Sequence, residues 1–123
     1  MRKHSLLYAG LGLVILVWVL NFIALTFYFY WTVGWYDYLM HFLGGLSIGV
    51  LAIWALKIEN RSLKAFLVAF VSVMVVGVGW EIFEYLNGLT FSTESYKLDI
   101  AHDLIMDALG ATTAYYGATS RSQ

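Results

Sequence analysis

The sequence predicts an all-α, polytopic membrane protein whose four transmembrane helices form one compact antiparallel bundle, a single domain over residues 1–123. Hydrophobic residues make up 61% of the chain, charged residues make up 12%, and the mean hydropathy is +0.74. A soluble domain of this size could not bury so much apolar surface. The apolar residues also fall into four stretches, each near the ~20 residues that cross a bilayer as a helix.

The four predicted spans follow one another with short connections, at about residues 6–31, 35–56, 63–86 and 98–117. The first begins with Arg2 and Lys3, as a signal peptide does. Its apolar run is about twice the usual signal core and lacks a cleavage motif, so we interpret it as a retained helix. The absence of cysteine excludes disulfides and thiolate metal sites, and the net charge of −1 gives no reason to expect nucleic acid as a partner.

The basic residues predict the orientation of these spans in the membrane. Six of the seven fall on one side of a four-span arrangement, and only Lys97, in the last connection, falls on the other. Basic loops stay in the cytoplasm, so both termini are expected to be cytoplasmic, in a multi-pass protein of the plasma membrane. The aromatic run over residues 27–38 then lies at the outer interface, where amphipathic rings anchor a helix. The six residues are Arg2, Lys3, Lys57, Arg61, Lys64 and Arg121.

Acidic residues are concentrated at the outer ends of three spans. The stretch "LDIAHDLIMDALGA" carries Asp99, Asp103 and Asp107 four residues apart, which puts them on one face of the last helix. Ionisable residues also lie at the start of the second span and the end of the third, so six of the chain's eight acids share one depth range. The expected site consists of Asp37, His41, Glu81, Glu84, Asp99, Asp103 and Asp107.

Small residues continue these ionisable faces towards the inner side of the membrane. Gly45 and Gly49 follow the face of the second span, Gly77 lies on that of the third, and Ala111 lies on that of the fourth. Small residues let helix backbones approach closely. We therefore expect the three faces to pack together and the acids to meet in one internal pocket.

The charge of this pocket predicts what it binds. No lysine or arginine lies within a span where it could pair with these acids, since Lys64 is at the inner end of the third span, and a charged side chain in the bilayer core costs at least ~2.5–3.5 kcal/mol. Either several carboxyl groups stay protonated and share hydrogen bonds, or a divalent cation is bound, for which Mn, Mg, Zn and Fe suit an oxygen-rich set with imidazole.

In the metal hypothesis the site residues take different roles. His41, Glu81, Asp103 and Asp107 are the expected metal ligands, and Asp37 and Asp99 are outer ligands or orienting groups. Glu84 is an outer group of the same kind, or the spare carboxylate that accepts a proton in catalysis.

Less specific interpretations remain open at this point. The acids nearest the interface, Asp37, Glu84 and Asp99, would also be stable if they were simply solvated there. The deeper residues could form a polar network that only fixes helix packing. His102 lies about 100° around the helix from Asp103, and its direction is undecided.

Three short motifs resemble those of VanZ-like and YjdF-like small bacterial membrane proteins. They are "YDYLMHFLGG", "GWEIFEYLNG" and "HDLIMDALGA". VanZ-like sequences are similar at Asp37, His41 and Phe42, at Glu81, and at Asp103 and Gly110. Tyr38 stands where they have lysine, and Asp107 where they have asparagine; the YjdF-like pattern carries aspartate at the second place. The resemblance implies an effect at the cell envelope, since VanZ is associated with low-level teicoplanin resistance, and it brings no known catalytic residues.

Three functions are compatible with these features. The first is a metal-dependent hydrolase or transferase acting on an envelope lipid or lipid-linked precursor at the outer leaflet, with Glu84 accepting a proton. The second is transport or sensing of a proton or cation, which intramembrane acids often serve. The third is a structural membrane subunit whose polar network only holds the helices together.

Overall fold

The computed structural model describes residues 2–89 and 95–121, and these ranges are helical apart from short connections. The prediction of an all-α fold is confirmed, and the single contact of strand type in the described ranges is an isolated bridge between Asn60 and Ser120. The helices are α1 (Arg2–Thr26), α2 (Phe29–Thr32), α3 (Tyr36–Ala55), α4 (Leu63–Asn87) and α5 (Tyr96–Ala118).

Three helices are long and apolar enough to cross a membrane. They are Lys3–Thr26 of α1, the whole of α3 and the whole of α4. The fourth predicted span corresponds to α5, which is of similar length but carries Lys97 and three aspartates and is therefore less apolar. The assignment of α5 as a fourth spanning helix remains a prediction. Lys97 itself lies in the first turn of α5, not in the connection where we expected it.

The first span is shorter than expected, because the helix ends at Thr26 and not near residue 31. Tyr28 adopts a left-handed backbone conformation (φ 60°) that separates α1 from the short α2. The segment then folds back onto α1, since the Tyr30 hydroxyl donates to Oδ1 of Asn21 at 2.7 Å and the Tyr36 hydroxyl donates to the carbonyl of Leu20 at 2.8 Å. Burial raises the pKa of the Tyr30 phenol, which keeps it protonated as a donor.

The helix ends near the acidic residues are set by local capping. Gly88 ends α4 in a left-handed conformation (φ 65°), as helix C-caps commonly do. The Ser95 side chain accepts from the amide of Leu98 at 3.4 Å and caps the start of α5. The last turns of α4 and the first turns of α5 lie at the same end of the bundle as the start of α3, since Asp103 is close both to Glu81 and to His41.

The start of α1, the end of α5 and the α3–α4 connection lie together at the opposite end of the bundle. Lys3 of α1 borders the same small cleft as Lys57 and Glu59. Arg61 donates to the carbonyl of Tyr116 at 3.1 Å and stacks over its ring at 4.9 Å, which fastens the end of α5 to this connection. Small and branched apolar residues pack behind it, namely Val50, Ile53, Ala69, Ala114 and Ala118.

The α3–α5 contact is close because small residues occupy it. A Cβ atom added at Gly45 would lie 2.5 Å from the carbonyl oxygen of Asp107, and one added at Gly49 would lie 2.6 Å from Cβ of Ala114. A Cβ atom at Gly110 would meet the backbone of α3. The small residues expected along these faces therefore lie at the helix contact itself, and they let the carboxylates of α5 reach α3.

Gly45→Ala tests this close approach, with Gly44→Ala as the matched control on the same helix. A methyl group at Gly45 meets backbone atoms that cannot rotate away, so we expect a loss of about 1–3 kcal/mol in the free energy of unfolding. At Gly44 an added Cβ atom meets nothing within 4 Å, so stability should be kept or slightly raised. Melting curves of both variants in the same detergent measure the difference, and equal curves would contradict the close contact.

Candidate metal centre

Six of the seven expected site residues come together where α3 begins, α4 ends and the first half of α5 passes between them. We call this set the acidic cluster; its members are Asp37, His41, Glu81, Glu84, Asp103 and Asp107. Five of these six side chains are buried, and Asp37, with its side chain 21% exposed, is the outermost.

His41 stands at the centre of three of the carboxylates. Its Nδ1 lies 3.0 Å from Oδ1 of Asp107. Its Nε2 lies 3.4 Å from Oδ2 of Asp103 and 3.8 Å from Oδ1 of Asp37. With its proton on Nδ1, the His41 ring donates to Asp107 and the lone pair of Nε2 faces the other two carboxylates, which is the form of the ring that a metal ligand needs.

This arrangement is the one that protein metal sites use to orient a histidine ligand. Such a histidine donates its second N–H to a carboxylate, which fixes the ring and makes the coordinating nitrogen more basic. Asp107 is placed to do this, and Nε2 points to the side where Asp37 and Asp103 lie. One ligand atom from each of Asp37, His41 and Asp103 lies within 4.8 Å of the others, close enough to hold one ion.

A second group with metal-ligand spacing lies beside the first. One carboxylate oxygen from each of Glu81, Glu84 and Asp103 lies within 4.8 Å of the others, and all three side chains are buried. The indole Nε1 of Trp80 donates to Oε1 of Glu84 at 2.9 Å, which leaves the other oxygen of Glu84 available. Asp103 belongs to both groups.

Several carboxylate oxygens of the cluster have no hydrogen-bond partner among residues 2–89 and 95–121. They are Oε1 of Glu81, both oxygens of Asp103 and Oδ2 of Asp107. Asp103 is only 1% exposed, and the 3.4 Å from its Oδ2 to His41 is an ion-pair distance without hydrogen-bond geometry. Buried polar atoms are nearly always paired in native proteins, so these oxygens indicate a missing partner.

The carboxylates of the cluster repel one another strongly when they are ionised. Two ionised carboxylates 4.8 Å apart repel each other by about 3.5 kcal/mol at an effective dielectric constant of 20. The three pairs within Glu81, Glu84 and Asp103 approach 10 kcal/mol, comparable with the whole stability of a typical domain. No lysine or arginine in the described ranges lies within ion-pair distance of the cluster. The carboxylates therefore need protons or a bound cation.

An apolar cavity of about 360 Å³ leads to the cluster between α1, α3 and α4. Val14, Val17 and Ile48 line its walls, and Asp37, His41, Glu84 and Asp107 lie at its polar end. Trp18 and Val76 border it and are 70% and 48% exposed, so it opens towards the exposed apolar surface of α1 and α4. Its volume is in the range of small-molecule sites.

Comparison with known proteins identifies the family. The family model described as "Predicted membrane protein (DUF2238)" matches residues 2–122, nearly the whole chain. The chain belongs to the DUF2238 family. No curated protein and no solved structure matches it significantly. As a DUF2238 membrane protein with three apolar helices of spanning length, it has the lipid bilayer as its surroundings.

The structure also locates the other residues that were expected in the site of this DUF2238 protein. Asp99 is buried one turn above Asp103 and belongs to neither metal-spaced group. Asp107 contacts Nδ1 of His41 through Oδ1, and its role as a metal ligand remains a prediction. His102 turns to Tyr38, whose hydroxyl lies 3.1 Å from its Nδ1. Sequence reasoning missed Trp80, although its position four residues before Glu84 is a signal for a contact along the helix.

A double-mutant cycle tests the central contact between His41 and Asp107. We expect His41→Gln and Asp107→Asn to show a coupling energy of about 1–3 kcal/mol in the free energy of unfolding, because each variant removes the same charge-assisted hydrogen bond. The cycle is measured in chelator, so that metal does not contribute.

A matched control cycle pairs His41→Gln with Glu59→Gln. Glu59 is exposed and lies beyond the other end of α3, roughly 20 Å away along the helix, so the two effects should add. Additive effects in the first cycle would mean that Asp107 does not orient the ring.

Proposed function

We propose that this DUF2238 protein binds a divalent cation in the acidic cluster and acts as a metal-dependent hydrolase on an envelope lipid or lipid-linked precursor. The observation that carries the proposal is Asp103, which is 1% exposed, has no hydrogen-bond partner for either oxygen in the described ranges, and lies in two groups with metal-ligand spacing.

A cation accounts for the cluster better than shared protons do. Oxygens of Glu81, Asp103 and Asp107 are buried and receive no hydrogen bond from a protein N–H or O–H in the described ranges. A cation held within metal-ligand spacing would compensate several of these oxygens at once. Carboxylate oxygen with one imidazole suits Mn, Mg, Zn or Fe.

The position of the cavity supports a lipid as substrate. Its walls are apolar, it opens towards lipid, and its polar end contains His41 and Glu84. A hydrocarbon chain would fit the walls, which would hold the polar group of the same molecule against the cluster. The chain therefore has a physical means of selecting an amphipathic molecule from the bilayer.

The residues of the cluster would have different roles in the reaction. A bound divalent cation would polarise the attacked bond and activate water. Asp107 would hold the His41 ring with Nε2 directed at the ion, and Trp80 would hold Glu84 through one oxygen. The other oxygen of Glu84 would then be available as the expected proton acceptor.

The proposal includes the topology and relationships expected from the sequence. The chain would form one transmembrane domain, with α5 as the fourth span and both termini cytoplasmic in the plasma membrane. The grouping of the basic α3–α4 connection with Lys3 and the end of α5 supports this orientation. The acidic cluster would then face the outer leaflet, in keeping with the resemblance to VanZ-like and YjdF-like envelope proteins.

Asp103→Asn separates a metal site from a proton network. With Mn or Zn at about 100 times the dissociation constant, we expect the unaltered protein to gain about 2.7 kcal/mol in stability and the variant to gain almost none. In chelator we expect Asp103→Asn to be as stable as the unaltered protein or more stable, because the amide removes one of the repelling charges. Melting curves with and without metal measure both effects.

Glu59→Gln is the control for this experiment, since it removes an exposed carboxylate at the opposite end and should respond to metal like the unaltered protein. A protein whose melting does not change with metal, and whose Asp103→Asn variant melts higher in every buffer, would leave the proton network as the explanation. It would also end the hydrolase proposal.

Cysteine labelling tests the orientation, and the absence of native cysteine makes each single substitution a clean reporter. Asn60→Cys in the α3–α4 connection should resist a membrane-impermeant maleimide in intact cells, while Asn87→Cys at the end of α4 should react. Both positions are exposed in the protein, so burial does not mask the result. The opposite labelling pattern would put the acidic cluster at the cytoplasmic leaflet.

A further inference from the structure

We infer that the acidic cluster is a two-metal centre, in which the carboxylate of Asp103 bridges two adjacent divalent cations. The inference rests on the proposed metal site and extends it from one ion to two. The first ion would be held by Asp37, His41 and Asp103, and the second by Glu81, Glu84 and Asp103.

The geometry of Asp103 is the first reason. It is the residue common to both groups, and the ligand atoms of each group lie within 4.8 Å of one another. Its two oxygens are both buried and both without a hydrogen bond in the described ranges, so each is available to a separate ion. A bridging carboxylate holds two cations about 3.5–4 Å apart, the separation that two-metal sites use.

Charge balance is the second reason. The two groups contain the four carboxylates of Asp37, Glu81, Glu84 and Asp103, which would carry four negative charges. One divalent cation neutralises two of them and leaves the others buried without compensation, since no lysine or arginine in the described ranges is within ion-pair distance. Two divalent cations match these four charges, and the fifth carboxylate of the cluster, Asp107, is paired with Nδ1 of His41.

The two positions differ in their donors, which gives them different metal preferences. The first offers the imidazole nitrogen of His41, which suits Zn, Fe or Mn. The second offers only carboxylate oxygens, which suit Mg or Mn. In this arrangement Glu84 coordinates through the oxygen that Trp80 does not hold, and its role is that of a metal ligand instead of the proton acceptor.

Manganese is the metal that both positions accept, so it serves as the probe. The full-length protein, purified without chelator and reconstituted in detergent, is loaded with Mn²⁺ and desalted. Elemental analysis then counts ions per chain, and electron paramagnetic resonance reports whether they are magnetically coupled. We expect two Mn²⁺ per chain and the spectrum of an exchange-coupled pair.

Variants assign each ion to its group. Asp37→Asn should leave one uncoupled Mn²⁺, because it weakens only the first position, and Glu81→Gln should leave one by weakening only the second. Asp103→Asn should remove the coupling and at least one ion. Glu59→Gln should keep two coupled ions. Asp37 is the outermost of these side chains, so Asp37→Asn should disturb folding least. Size-exclusion profiles verify that each variant is folded.

The outcomes separate this inference from the proposed function. A protein that binds no Mn²⁺ would overturn the metal site and the pair together. One Mn²⁺ per chain, lost with Asp37→Asn and kept with Glu81→Gln, would overturn the pair and leave the single-metal site intact. Two ions without coupling, both kept in Asp103→Asn, would show that Asp103 does not bridge them.

Discussion

The burial of the Asp103 carboxylate among other acids is the constraint on which this structure depends. This carboxylate is 1% exposed, lies near four other acidic side chains and has no hydrogen bond in the described ranges. Burying such a group in its charged form costs free energy in a soluble protein, and it costs more within a membrane. The fold supplies one histidine and no nearby lysine or arginine. The carboxyl groups therefore require protons or a bound cation, and the proposed function depends on which of the two compensates them.

The helix packing concentrates this unfavourable charge at one end of the bundle. Gly45 and Gly110 let α3 and α5 approach until a Cβ atom at either would meet backbone, and the aspartates of α5 lie directly at that contact. The opposite end is filled by small apolar residues around Ile53 and Ala114. The cavity has apolar walls and a polar end at His41 and Glu84, and this combination supports the proposed chemistry on a membrane-embedded molecule over passage of an ion through the bundle.

Residue spacing predicted much of this site, because helical periodicity fixes which side chains share a face. The four-residue spacing of the aspartates, and of Asp37 and His41, puts each set on one face of its helix, and the small residues that continue these faces indicate that the faces pack together. Spacing does not determine rotamers, so it could not show that His41 turns Nδ1 to Asp107 or that the acids divide into two groups. Hydropathy likewise could not locate the break at Tyr28, which accompanies the long-range hydrogen bonds of Tyr30 and Tyr36 to α1.

The central claim is that divalent cations, and not shared protons, compensate the buried carboxylates, and anomalous X-ray scattering tests it most directly. Crystals of protein purified without chelator and loaded with Mn²⁺ or Zn²⁺ would be measured on both sides of the metal absorption edge. The account predicts anomalous density about 2.0–2.3 Å from an oxygen of Asp103 and from Nε2 of His41. The account would be contradicted if metal-loaded crystals showed no such density. In that case carboxylate oxygens of Glu81, Glu84 and Asp103 would lie ~2.5–2.7 Å apart as proton-sharing pairs.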